Sequence, residues 1–217
     1  MSRLPIISVL FCVACSVFAQ SPSRPSLSTG QAIWEPPAAT FDEYPKGTVS
    51  KQMLASLRVS GIPVELEDTK MTDIASTLGG TIGQKGDAGL FEEWLCFHGT
   101  DATGRWALWL ESREIDGGTV GQFHWRRLNM NAVVDRRCRM LGDRKVELPI
   151  SLRLDITESE VLKSLGRPTV RLGGSLGYVH EHTESFQGEP YASTNIVVVL
   201  LRAGRVWSIE VSKTTVS

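Results

Sequence analysis

The stretch "TESEVLKSLGRP", Thr157 to Pro168, most narrows what this chain can fold into, because it carries its own start and stop. Thr157 and Glu160 have the spacing at which a threonine hydroxyl accepts a first-turn amide while the glutamate reaches back to the threonine amide. Val161, Leu162 and Leu165 then share one side of a helix. Gly166 suits the left-handed stop position, and Pro168 prevents continuation. Upstream, "TKMTDIASTLGG" (Thr69 to Gly80) repeats the pattern in blurred form. Thr69 stands as the cap, Ile74, Ala75 and Leu78 as the stripe, and Gly79 with Gly80 as the stop. A short extended run precedes each helix, "PVELE" from Pro63 and "PISLR" from Pro149.

Three strand-like runs follow each helix. The first set is Leu90–His98, Arg105–Glu114 and Thr119–Leu128; the second is Tyr178–Ser185, Asn195–Arg202 and Val206–Lys213. Gly- and Asp-bearing turns separate them. The expected fold class is therefore α+β, with two tandem repeats, each a short helix packed on a three-stranded antiparallel meander. One such unit is too small for a generous core, which favours pairing two. Residues 48–128 form the first expected repeat, 129–145 an Arg-rich connector, and 146–217 the second. "VSKQMLASLRV" (Val49 to Val59) reads as a short helix before the first repeat.

The N-terminus reads as an address. "MSRLPIISVLFCVACSVFAQ" has a basic Arg3, an apolar run from Leu4 to Phe18 and small residues before Gln20, the pattern of a signal peptide spanning 1–19. Lipid attachment at Cys15 is the alternative, since Val13-Ala14-Cys15-Ser16 resembles a lipobox. A periplasmic or secreted location follows, with a Pro- and Ser-rich flexible leader over 20–47. Cleavage leaves Cys96 and Cys138. In an oxidising compartment an even pair suggests a disulfide tying the connector to the first sheet, with two buried free thiols as the alternative.

These residues carry a resemblance. "DITESEVLKSLGRPT", followed by a Gly-rich loop, an aromatic strand and "VVLLRAGRVWSIEVSK", resembles the small bacterial envelope proteins of the SmpA/OmlA type. In that family a "GMTxxxVxxLLGxP" helix precedes a meander whose last hairpin reads "F-x-x-G-x-V". Asp155-Ile156-Thr157 stands in for Gly-Met-Thr, while Leu200, Gly204 and Val206 hold the hairpin pattern. Two such units in tandem resemble the beta-lactamase inhibitory protein fold. The resemblance implies a scaffold used for holding other proteins; it transfers no contact residues.

Catalytic signatures are thin. The chain has no GxSxG, HExxH, P-loop or paired CxxC. "GGTIGQKGDAG" follows a helix rather than preceding one and reads as a loop. The formal net charge of −1 gives no global bias toward nucleic acid. Arg126, Arg127, Arg136, Arg137, Arg139, Arg144 and Lys145 read as a solvated connector, with Glu65, Glu67 and Asp68 as candidate partners. Period-2 bookkeeping assigns Trp94, Trp109, Phe123, Trp125, Tyr178, His180 and His182 to the sheet face opposite the helices, and Ile196, Val198, Leu200, Trp207, Ile209 and Val211 to the helix side.

The expectation is a non-catalytic module with no cofactor. It binds another protein through that aromatic face, as an inhibitor or immunity-type protein against an envelope or secreted enzyme. A structural or assembly role in the envelope is the alternative. A third is metal binding by His180 and His182, which alternate on one strand face without an evident third ligand.

Overall fold

A computed structural model describes residues 32–39, 53–87, 90–142, 145–186 and 189–216. The expected signal peptide, Cys15 and most of the leader fall outside these residues. The chain runs β1 (Ser56–Val59), β2 (Ile62–Glu65), α1 (Met71–Leu78), β3 (Ile82–Lys85), β4 (Glu92–Asp101) and β5 (Gly104–Arg113). One 3-10 turn, β6 (Gln122–Arg127), β7 (Arg139–Gly142) and β8 (Val146–Glu147) follow. The second half is α2 (Glu158–Leu165), β9 (Val170–Leu172), β10 (Ser175–Phe186), β11 (Glu189–Arg202) and β12 (Arg205–Val216).

The expected α+β pair of helix-plus-three-strand units is wrong. The described fold is mostly β, with two eight-residue helices and one nine-stranded sheet. Eight strands run in the order β3-β4-β5-β6-β12-β11-β10-β9, and β7 adds to β4 in parallel beside β3. The physical reason is the seam between β6 and β12. Phe123 pairs with Val211 and Trp125 with Ile209, so the edges that separate meanders would expose are hydrogen-bonded to each other. The expected helix over 49–59 is also corrected: Ser56–Val59 is a strand, and β1 joins β2 and β8 in a separate three-stranded sheet.

Local signals held better at α2 than at α1. Thr157 Oγ1 accepts from Glu160 N at 3.4 Å, and Glu160 accepts from Thr157 N at 2.8 Å, closing the capping box. The Thr157 amide, and the Thr157 hydroxyl donating at 2.7 Å, hold the Glu160 carboxyl below its ordinary pKa. Thr69 does not cap α1; its hydroxyl accepts from Glu65 N at 2.9 Å inside the preceding turn, and Lys70 occupies the cap position. Thr157→Ala should therefore lower stability by about 1 kcal/mol in urea unfolding.

Core apolar residues follow from the layering. Met71, Ile74 and Leu78 of α1, Val161 and Leu165 of α2, and Leu57, Val59 and Val64 of the small sheet join one buried cluster. From the large sheet that cluster takes Leu95, Leu108, Phe123, Tyr178, Val197 and Val211. A second, smaller cluster lies on the far face over β4 and β5. Glu67, expected near the basic connector, instead reaches the end of β12, accepting from Thr215 N at 2.6 Å and pairing with Lys213 at 3.3 Å.

Candidate binding face

Strand alternation and register fix which side chains share the face away from the helices. Trp109 lies opposite Cys96 on one side and His124 on the other; His124 lies opposite Glu210, and Glu210 opposite Val198. This row crosses the sheet and divides the face into three zones.

The first zone, on β4 and β5, is covered. Trp94 and Trp109 are both buried beneath the segment around Trp34. The Trp34 and Trp94 rings meet edge-on at 5.7 Å, and Trp109 Nε1 donates to the Trp34 carbonyl at 3.0 Å. Ile33 forms a parallel bridge to Val134, and the Arg137 guanidinium lies 4.5 Å from the Trp34 ring centroid. Arg137 is itself clamped by Asp135 through bonds of 2.9 and 3.0 Å, which hold that carboxyl down to about 2. Cys96 and Cys138 form the disulfide expected from the sequence, with Cα atoms 4.5 Å apart. It anchors the connector that supports Trp34.

The second zone is a polar row at the β6–β12 seam. His124 Nε2 and Ser208 Oγ are 2.8 Å apart, His124 Nδ1 is 4.0 Å from a Glu210 carboxylate oxygen, and the Trp109 ring stands edge-on to the imidazole at 6.2 Å. Beside them Gln122 donates to Glu111 Oε2 at 3.0 Å, while Glu111 Oε1 is sealed from solvent without a partner. Burial, then the nearby Glu210 charge, push the Glu111 carboxyl up to about 8; burial, then Arg126, push His124 down to about 3. The order Ser208–His124–Glu210 is that of a nucleophilic triad, but its energetics are not. A general base works best with a pKa near the operating pH, and an imidazole at about 3 holds a proton too weakly. Nothing joins Nδ1 to the acid at hydrogen-bond distance.

The third zone, on β10 to β12, carries Val179, Ile196, Val198 and Leu200. They lie on the same face as Glu210 and belong to neither core cluster; Val179 and Val198 are buried, Ile196 and Leu200 half-buried. A register break at Leu200/Leu201 leaves Trp207 as an extra residue on β12. Its ring lies under the Arg202 guanidinium at 4.2 Å.

The sequence assignment of the aromatic face therefore divides. Trp94 and Trp109 are on the face away from the helices, as expected, but buried. Phe123, Trp125 and Tyr178 are on the helix side and buried in the main core. His180 and His182 follow Tyr178 along β10 to that same side, half-buried with ring centroids 5.3 Å apart, opposite Asn195 and Ser193. The error on β6 was one of phase. Turning its aromatics inward buries two large rings, and Arg127, which goes with them, pairs through Nη1 with Asp101 at the strand end at 2.9 and 3.0 Å while its Nε stays sealed without a partner. Conversely Ile196, Val198 and Leu200 are on the open face, while Val197 and Val199 fill the core. Among the described residues no group of three His, Cys, Asp or Glu side chains is placed to hold a metal.

Glu111, Arg202, Ser208 and Glu210 are not singled out by the sequence, and Arg126, read there as part of a solvated connector, is half-buried on the open face. The available signal was an acid inside each of two apolar runs, "LWLES" and "WSIEVS". A groove of about 670 Å³ at the end of α2 lies elsewhere, lined by Leu162, Arg167, Pro168 and Arg171. Arg171 there is committed to Glu158 at 2.6 Å. Comparison with family models, curated proteins and solved structures finds no match.

Proposed function

We propose that the chain is an exported, non-catalytic protein-binding module of inhibitor or immunity type. Its partner is an envelope or secreted enzyme, held on the open face of β10 to β12. The observation that carries this reading is the pair Ile196 and Leu200, half-buried on one face, with Trp207 beside them and all three outside both core clusters; Val198 between them is buried. Apolar side chains gathered on one sheet face, rimmed by charged Glu181 and Arg202, have the composition of a contact patch. Trp207 and its stacked Arg202 are of residue types enriched at binding hot spots. The disulfide supports an oxidising compartment, and the N-terminal sequence pattern supports export. The resemblance of the α2 segment and the last hairpin to envelope and inhibitory proteins supports the kind of partner.

The test follows the corrected face. Leu200→Lys and Ile196→Lys should each abolish capture of the partner enzyme from envelope extract, with a loss of about tenfold or more in affinity. Lys163→Glu, on the exposed side of α2, should leave capture unchanged. If both open-face variants keep their disulfide and thermal midpoint and still capture the same enzyme at wild-type affinity, this face is not the contact.

A further inference from the structure

The β11–β12 bulge gathers donors that have no acceptor. Arg126 faces Ser208 across the β6–β12 seam, and Ser208 faces Leu200, so Arg126 is on the open face. Arg202, two residues past Leu200, reaches the same side and covers the Trp207 ring at 4.2 Å. The extra residue of a bulge re-aims a side chain, and here Trp207 packs against Arg202. Arg126 is half-buried, with Nε sealed and without a partner; the Trp207 indole Nε1 is likewise sealed and unpartnered. Neither Arg126 nor Arg202 forms a salt bridge among the described residues. The two cations are close enough that Arg202 adds to burial in depressing the basicity of Arg126.

Most arginines in this fold that come near a carboxylate are clamped by it, as at Asp101, Asp135 and Glu158. At the bulge no carboxylate pairs with Arg126 or Arg202 among the described residues: Glu210 lies opposite His124, and Glu111 accepts from the Gln122 amide. Burying a cation beside a second one is unfavourable unless a counter-charge completes the site. Every unsatisfied group named here is a donor, and guanidinium with indole N–H is a donor set suited to a planar or tetrahedral oxyanion.

We propose that Arg126, Arg202 and the Trp207 indole form a binding site for an oxyanion, the carboxylate or phosphate group of a ligand, at the β11–β12 bulge. The adjoining Leu200 gives that ligand an apolar neighbour, so an anionic group on an apolar body fits best. The site does not depend on the docking reading: substituting its arginines leaves Ile196 and Leu200 in place.

The experiment is a titration of the full, disulfide-bonded, nitrogen-15-labelled chain with sodium phosphate and, separately, sodium acetate, each against sodium chloride at equal ionic strength. The Trp207 indole and Arg126 Nε–H resonances, assigned with Trp207→Phe and Arg126→Gln, should move and saturate with one or both oxyanions. Saturation by one anion alone identifies the ligand group. Arg202→Gln, at an exposed side chain, should weaken the response by about tenfold without unfolding the chain. Arg126→Gln should do the same. Linear, unsaturated shifts equal to those in chloride, or wild-type titrations in the folded Arg202→Gln variant, overturn the site.

Discussion

Glu111→Gln should make the protein more stable at alkaline pH, by up to roughly 4 kcal/mol, because it removes an ionisation that the folded state resists. The carboxyl pKa is raised from its ordinary 4.5 to about 8. The folded chain therefore keeps a proton that the unfolded chain releases between those values. Stability falls as pH rises through that window, and the loss is complete above about 8. A glutamine retains the oxygen that accepts from Gln122 and never ionises. His124 contributes the opposite limb. Its pKa is lowered from 6.5 to about 3, so its contribution is fully present above 6.5 and is lost as pH falls toward 3.

Between 4.5 and 6.5 the two slopes oppose each other and nearly cancel. The wild type should show a stability plateau there, with a descending alkaline limb that Glu111→Gln removes. Urea midpoints measured across the range decide it. A Glu111→Gln midpoint that tracks the wild type at every pH from about 5 to about 9 would mean that Glu111 ionises freely in the folded chain.

Neither half of that plateau was visible in the sequence, and the reason is non-local. Thr157, Glu160, Gly166 and Pro168 could be read correctly because a helix start and stop are written in residues that touch each other along the chain. The phase of β6 is different. "QFHWRR" alternates aromatic and polar residues cleanly, yet the alternation alone does not say which set meets the core. That choice is made by β12, more than eighty residues later, whose Ile209 and Val211 lie opposite Trp125 and Phe123. Once β6 takes this phase, His124 and Arg126 go to the open face, and the polar row exists. The same dependence explains the fold error. Two helix-and-strand patterns were legible one at a time, but the joining of their last strands into one sheet depends on pairing that no local pattern encodes.

The strap over β4 and β5 shows how a partly correct assignment still misplaces a binding face. Trp94 and Trp109 were assigned to the right side, and the cysteine pair to a bridge, but the two observations are coupled. The disulfide holds Cys138 against Cys96, the turn at Asp135 presents Arg137 to Trp34, and Trp34 seals both tryptophans. Apolar rings of this size gain more from burial than from waiting exposed for a partner, so a nearby leader tryptophan covers them.

Replacing both cysteines by alanine should lower the unfolding free energy by about 4 kcal/mol, the chain-entropy expectation for a bridge that closes a separation of 42 residues. The entropic part acts on the unfolded chain, whereas a second effect is native and local. Without the bridge, the connector keeps the Arg137–Asp135 clamp but loses its covalent tie to β4, and Trp34 is left with one carbonyl bond, one β-bridge and its ring contacts. Trp34 and residues 132–138 should then exchange amide protons faster than β5 and β6, which remain paired in the centre of the sheet. Urea unfolding of the wild type and the double variant measures the first effect, and native-state hydrogen exchange the second. If stability drops but residues 132–138 keep wild-type protection, the strap is held by its side-chain contacts alone and the bridge acts only on the unfolded chain. A loss below about 1 kcal/mol would contradict the loop-closure account as well, since it is too small for a loop of this length.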